Sequence, residues 1–88
     1  MKIKNGFAKR NIAGEEIVVP VGKTAKDFNG MITLNESGSF FWECFCNDIT
    51  VDDAVKMVTD EYEIDESTAR RDIEAFVKML RDNSILDD

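Results

Sequence analysis

Thr33-Leu34-Asn35-Glu36-Ser37-Gly38-Ser39-Phe40-Phe41-Trp42-Glu43 decides how this chain is read. An apolar strand ends at Leu34, a polar junction comes next, and an aromatic run begins at once. Asn35 and Ser37 are residue types whose side chains accept hydrogen bonds from the free amides of a first helical turn, so one of them is expected to start a helix. Phe41, Cys44 and Phe45 then recur at helical spacing. Three consecutive aromatics cannot all face one core, because successive helical residues lie about 100° apart. One of Phe40, Phe41 and Trp42 is therefore expected near the surface. Plain core packing is the leading reading of Trp42, with a partner anchor the alternative, since large aromatics dominate interface hot spots.

Upstream of the junction the chain reads as strands. Phe7–Ile12 and Glu16–Pro20 flank Ala13-Gly14, where glycine permits the positive φ of a tight hairpin turn, and the second run is rich in β-branched residues. Pro20 has no N–H for a ladder and should mark a strand end or a sheet edge. Val21 to Asn29, with Gly22, Lys23, Lys26 and Asp27, is expected to be a polar connection, leading to a third strand over Gly30-Met31-Ile32-Thr33-Leu34.

Downstream lie two further helices. Thr50 with Asp53 three residues on approximates a capping box, and Val51, Ala54, Val55, Val58 and Tyr62 form one apolar stripe. Asp65 or Ser67 can cap the last helix, in which Ala69, Ile73, Phe76, Val77 and Leu80 share a face flanked by Arg70, Arg71, Glu74, Lys78 and Arg81. Ile85 and Leu86 are expected to pack back onto the core before the acidic end at Asp87 and Asp88. The elements predict an α+β fold.

Composition bounds the function. A chain of 88 residues makes one domain, 1–88, with a modest core that buries roughly 60–65% of the unfolded surface. Hydrophobic content of 43% beside 33% charged residues belongs to a folded protein rather than a disordered one. No apolar run approaches the roughly 18 residues of a membrane span, and the start lacks the pattern of a signal peptide, so a cytoplasmic location is expected. Cys44 and Cys46, two apart on a helix, point to different sides and are expected to stay reduced. The sequence has no histidine, which leaves no spaced metal-ligand set, and neither a metal nor another cofactor is expected. Catalysis lacks material too: there is no Ser or Cys triad and no glycine-rich phosphate loop. The adjacent carboxylates Asp52 and Asp53 suit the first turn of a helix, where the dipole favours negative charge.

Charge changes sign near residue 35. Residues 1–34 carry six Lys/Arg against three Asp/Glu, net +3, and residues 35–88 carry five against fifteen, net −10. The last two helices have the separation of a helix-turn-helix, and the strands before them could supply a wing, which raises a nucleic-acid-binding regulator as the alternative reading. The would-be recognition helix and its approach carry Asp60, Glu61, Glu63, Asp65, Glu66, Asp72 and Glu74. Phosphates repel such a surface, so nucleic acid is not expected as a partner.

The junction quoted first resembles the signature of the PqqD family. So do Val18-Val19-Pro20 before a loop, Thr50-Val51-Asp52-Asp53-Ala54-Val55, the block from Tyr62 to Val77 and the end from Leu80 to Leu86, all in family order. The resemblance implies a winged-helix-like domain, a small three-stranded antiparallel sheet followed by three helices. It also implies a non-enzymatic adaptor that recognises the leader of a ribosomally made precursor peptide and presents it to a modifying enzyme, by resemblance a radical SAM enzyme. The leader would add as a strand beside Met31, Ile32, Thr33 and Leu34. Arg70, Ile73, Glu74, Val77, Lys78 and Arg81 are the positions expected to face it from the last helix. The competing reading is core packing for Ile73 and Val77 and a solvated face for the charged residues. The physics is that of strand addition: an exposed edge pairs with any extended peptide, and side-chain pockets beside it select the sequence. A third reading is a docking partner that does not touch the peptide, or a homodimer formed through the open strand edge.

Overall fold

The computed structural model describes residues 1–27 and 30–87, and its elements run β1 (Lys2–Ile3), β2 (Phe7–Ile12), β3 (Glu15–Pro20), α1 (Thr24–Asp27), β4 (Ile32–Leu34), α2 (Glu36–Phe45), α3 (Val51–Glu61), α4 (Glu66–Asp82) and β5 (Leu86–Asp87). The fold is the expected mixed one, with a three-stranded antiparallel sheet and helices after it. The expected connection ends at Asn29 and the acidic end at Asp88; both residues lie outside the described ones. The chain divides into two compact units, one formed by Lys4–Ser39 and one by Met1–Ile3 with Phe40–Asp88.

In the first unit the hairpin is set by its turn. Ala13 and Gly14 have φ of 54° and 86°, the two successive left-handed residues that a two-residue turn of type I′ requires. Ile12 therefore stands opposite Glu15, and the register continues without a bulge to Phe7 opposite Pro20. β4 pairs with the other side of β3, Leu34 opposite Glu16, Thr33 opposite Ile17 and Ile32 opposite Val18. The third strand is shorter than its sequence suggests. Gly30 has φ of 132°, outside extended geometry, and Gly30 and Met31 fall before the strand. The segment read as a plain connection contains the single turn α1. Ile17, Val18 and Leu34 are buried.

In the second unit the caps are those the residue types dictate. Thr50 accepts from the Asp53 amide at 3.1 Å while Asp53 accepts from the Thr50 amide at 3.0 Å, a complete capping box for α3. Asp65, rather than Ser67, caps α4, accepting from the Thr68 amide at 2.7 Å. Ala54, Val55 and Val58 of α3 and Ala69, Ile73, Val77 and Leu80 of α4 are buried, as their stripes require. α4 ends in a Schellman motif: Ile85 donates to the Leu80 carbonyl at 2.9 Å and Ser84 to the Arg81 carbonyl at 3.0 Å. Ser84 holds the left-handed position, φ 57°, that glycine usually takes. The chain is turned there into β5, which pairs antiparallel with β1, and Ile85 and Leu86 are buried. This two-stranded sheet was not expected from the sequence.

Of the two readings of Trp42 the core one holds, since Trp42 is 3% exposed. At about 100° per residue, Cys44, Phe41, Phe45 and Trp42 share one arc of about 160°, wide enough for all four to be buried. Phe40 is the aromatic at the margin, half-buried and edge-on to Tyr62 at 5.3 Å. Phe41 meets Phe76 in the same manner at 5.5 Å. Among the described residues, no helix is long and apolar enough to cross a membrane.

Candidate functional site

The backbone of β4 is accounted for by one hydrogen bond and the rule of alternation. The Val21 amide donates to the Gly6 carbonyl at 2.8 Å, so Val21 directs its backbone groups toward β2. In an antiparallel ladder, directly opposed residues alternate between bonded and non-bonded pairs. Counting back along β3, Val19, Ile17 and Glu15 also face β2, which leaves Glu16 and Val18 facing β4. Their opposites, Leu34 and Ile32, are the bonded pairs on that side. Thr33 sits between them in a non-bonded pair, and its N–H and C=O both point to the outer edge.

Among the described residues, β3 is the only strand paired with β4. Thr33 is exposed, Ile32 half-buried and Leu34 buried. The same count explains Pro20: its missing N–H falls on the side away from β2, so that ladder loses no bond.

The start of α2 bounds the edge. Asn35 caps that helix, its Oδ1 accepting from the Gly38 amide at 2.7 Å, and its carbonyl accepts from the Ser39 amide at 2.9 Å. That carbonyl is engaged in the helix, so the accepting backbone of the edge stops at Thr33. Gly38 keeps this corner tight, since a Cβ there would stand 3.0 Å from Asn35 Oδ1 and 3.6 Å from Leu34 Cδ2. Lys9 of β2 donates from Nζ to Ser39 Oγ at 2.8 Å. Met31, before the strand, is 64% exposed, a large apolar side chain in water beside the edge.

In the other unit, α4 carries the remaining expected site residues, and they divide. Ile73 is 0% and Val77 2% exposed, so both belong to the core and neither is a surface contact. Glu74, Lys78 and Arg81 are exposed. Arg70 is half-buried and tied down: Nη2 lies 2.8 Å from Asp52 Oδ1 on α3 and 3.9 Å from Glu66 Oε1. The hydrogen bond to Asp52 raises the Arg70 pKa further above its ordinary value. These residues line an open groove of about 450 Å³ between α3 and α4, with Val55, Lys56 and Thr59. Lys78 Nζ is 2.8 Å from Asp82 Oδ2, one turn on, and that bond raises its pKa. Nothing in the sequence pattern of α4 alone named Asp52 as the partner of Arg70, because the two residues lie on different helices.

Cys44 is buried, which pushes its pKa up, aided by the neighbouring charge of Glu43, and Cys46 is exposed. Among the described residues, no cluster of three acidic or thiol side chains is arranged to hold a metal ion.

A three-stranded antiparallel sheet whose β4 pairs, among the described residues, only with β3, followed by helices whose last two pack together, defines the class: a small winged-helix-like α+β domain. The chain belongs to the PqqD family, whose description, Coenzyme PQQ synthesis protein D (PqqD), matches residues 15–86. Two solved structures share the fold. TbiB1, solved in complex with the TbiA(beta) leader peptide, aligns with a TM-score of 0.76 at 22% identity, over 99% of this chain and 95% of its own. A lasso peptide synthetase B1 complexed with a leader peptide aligns with a TM-score of 0.72 at 18% identity, over 93% of this chain and 91% of its own. No curated protein sequence matches the chain.

Proposed function

We propose that this protein is a peptide-binding adaptor of the cytoplasm, not an enzyme, that takes up the leader of a ribosomally synthesised precursor by strand addition along β4 and presents the precursor to a modifying enzyme. The observation that carries the reading is the outward-facing backbone of Thr33 on an edge that no strand pairs among the described residues. An extended peptide satisfies such groups with its own N–H and C=O. Family membership, and two neighbours of the same fold solved with leader peptides, support the same function. Met31, Ile32, Thr33 and Leu34 are the proposed strand contacts, and Arg70, Glu74, Lys78 and Arg81 the proposed contribution of α4. Ile73 and Val77 support α4 from within.

The partner enzyme is proposed to be a radical SAM enzyme, on the family resemblance. Modification of the precursor should then require this chain together with that enzyme. The open edge also suits pairing between two copies, and sedimentation with and without leader tells whether peptide and second copy compete for it.

The test is an NMR titration of the labelled protein with synthetic leader segments of ribosomally synthesised precursor peptides. Saturable shifts at the amides of Met31–Leu34 and on the exposed face of α4 are expected. Shifts confined to α3 would sink the placement. Charge reversal at Lys78 should weaken binding more at low salt than at high, since exposed charges are screened; an equal loss at all salt concentrations would remove the electrostatic part.

A further inference from the structure

We infer that the groove between α3 and α4 is the docking site for the modifying enzyme, and that the enzyme enters it with a segment bearing arginine or lysine. This rests on the adaptor reading above, since a protein that presents a peptide needs a second surface for the enzyme. The groove lies wholly within the unit of Met1–Ile3 and Phe40–Asp88. α3 supplies one wall with Asp52, Val55, Lys56 and Thr59, a stripe at i, i+3, i+4 and i+7. α4 supplies the other with Glu66 and Arg70, one turn apart.

The charge this groove accepts follows from which of its groups are already used. Arg70 is spent on its own chain, with Nη2 2.8 Å from Asp52 Oδ1. Glu66 Oε1 lies 3.9 Å from the same nitrogen, beyond hydrogen-bond reach, so Glu66 keeps its acceptor capacity. The side chains of Asp52 and Glu66 are 80% and 76% exposed, and a carboxylate can accept several hydrogen bonds, so both can take a further donor from a partner. Thr59 brings no donor, because its hydroxyl donates within α3, 3.0 Å from the Val55 carbonyl and 3.2 Å from that of Lys56. Val55 is buried and apolar, which suits the methylene stem of a long cationic side chain.

An acidic segment held by Lys56 is the rival occupant, and the surrounding field opposes it. Residues 50–70, which span α3, the loop and the start of α4, carry seven Asp/Glu against two Lys/Arg, net −5. Such a surface steers a positive segment in and repels a negative one. Lys56 therefore works against the enzyme, and removing its charge should tighten docking.

The test is an NMR titration of the intact protein with a blocked alanine-based helical peptide carrying arginines at i and i+4, and with its counterpart carrying glutamates. A helical probe does not add to β4 as a strand. Saturable shifts at Val55, Thr59 and Glu66 are expected with the arginine peptide alone, weakening as salt rises. Lys56→Glu should tighten binding about threefold or more, a gain that misfolding cannot imitate. Glu66→Gln should weaken it about twofold or more, with affinity for leader segments unchanged. With the proposed radical SAM enzyme as titrant, the two variants should move in the same directions.

Preference for the glutamate peptide, parental or weaker binding by Lys56→Glu, or shifts confined to residues 60–65 overturn the assignment. Leader segments that shift Val55 and Thr59 give the groove to the leader and overturn it as well. An arginine peptide that does not bind, beside leader segments that shift Met31–Leu34, removes the groove and leaves the adaptor reading in place. Leader segments that bind nowhere, beside an arginine peptide that binds as expected, remove the adaptor reading and with it the enzyme as occupant.

Discussion

Replacing Ile73 with alanine separates what α4 does for the fold from what it does for a peptide. Ile73 is fully buried, and Ile73→Ala deletes three carbons. At about 0.8 kcal/mol per buried carbon the transfer loss is about 2.4 kcal/mol. The cavity left behind brings the expected cost to about 3–4 kcal/mol, inside the range of roughly 2–5 for such deletions. A chain of this length has about 4–13 kcal/mol in total, so the variant should be folded but marginal. Its melting temperature should fall by about 12–32 °C, at about 4–8 °C per kcal/mol. Trp42 is the single tryptophan and is buried, so its fluorescence reports urea unfolding directly. Leader affinity of the folded fraction, measured in the cold, should change little, because the side chain does not reach the surface. A stability loss below about 1 kcal/mol would refute the placement and return Ile73 to the peptide-facing set.

Other perturbations act on the caps, the thiols and one carboxylate. Thr50→Ala removes half of the α3 capping box and should cost about 1 kcal/mol in urea unfolding. Ser84→Gly should stabilise by roughly 0.5–1 kcal/mol, the relief of about 1–2 kcal/mol of left-handed strain outweighing about 0.4–1 lost to a looser unfolded chain. Iodoacetamide should label Cys46 first under native conditions, with Cys44 labelled only on unfolding, as mass mapping of the peptides would show. Asp65 has its pKa lowered by the Thr68 hydroxyl, then the Thr68 amide, then the Ser67 hydroxyl. Its folded pKa lies below the unfolded value of about 3.9, so its stabilisation is complete above that pH and is lost as pH falls through the folded pKa. Asp65→Asn should therefore flatten the acid limb of a melting-temperature profile below about pH 4.

Local chemistry was legible in the sequence wherever one segment held the whole cause. The Ala13-Gly14 turn, the Thr50 and Asp53 box, and the two apolar stripes each need only neighbouring residues, and all are present. The features that were missed depend on distant partners or on conformation that residue type conceals. β1 and β5 are two-residue strands joined across nearly the whole chain, too short for any periodicity. Ser84 ends α4 in a role that glycine usually announces. Which of three adjacent aromatics lies at the margin was not legible, because their adjacency requires one without saying which; the arc shared with Cys44 and Phe45 selects Phe40. Of the expected α4 wall, Ile73 and Val77 carried the stripe's periodicity, and that periodicity belongs to the core.

The shortness of the edge has a consequence for selectivity. One residue with both groups outward supplies two backbone hydrogen bonds, each worth about 0.5–1.5 kcal/mol net, or about 1–3 kcal/mol together. Micromolar affinity needs about 8 kcal/mol, before the cost of ordering a flexible peptide is included. The difference, about 5 kcal/mol or more, has to come from side chains, equivalent at about 25 cal/mol per Å² to at least about 200 Å² of newly buried apolar surface. A long unpaired strand would bind many extended peptides through backbone alone and would invite aggregation. Closing the edge at Asn35 with a helix cap keeps the backbone contribution small. Under the proposed strand addition, binding would then depend on apolar side chains placed beside Ile32, Leu34 and exposed Met31, and an adaptor built this way would accept its own leader and pass over other extended chains.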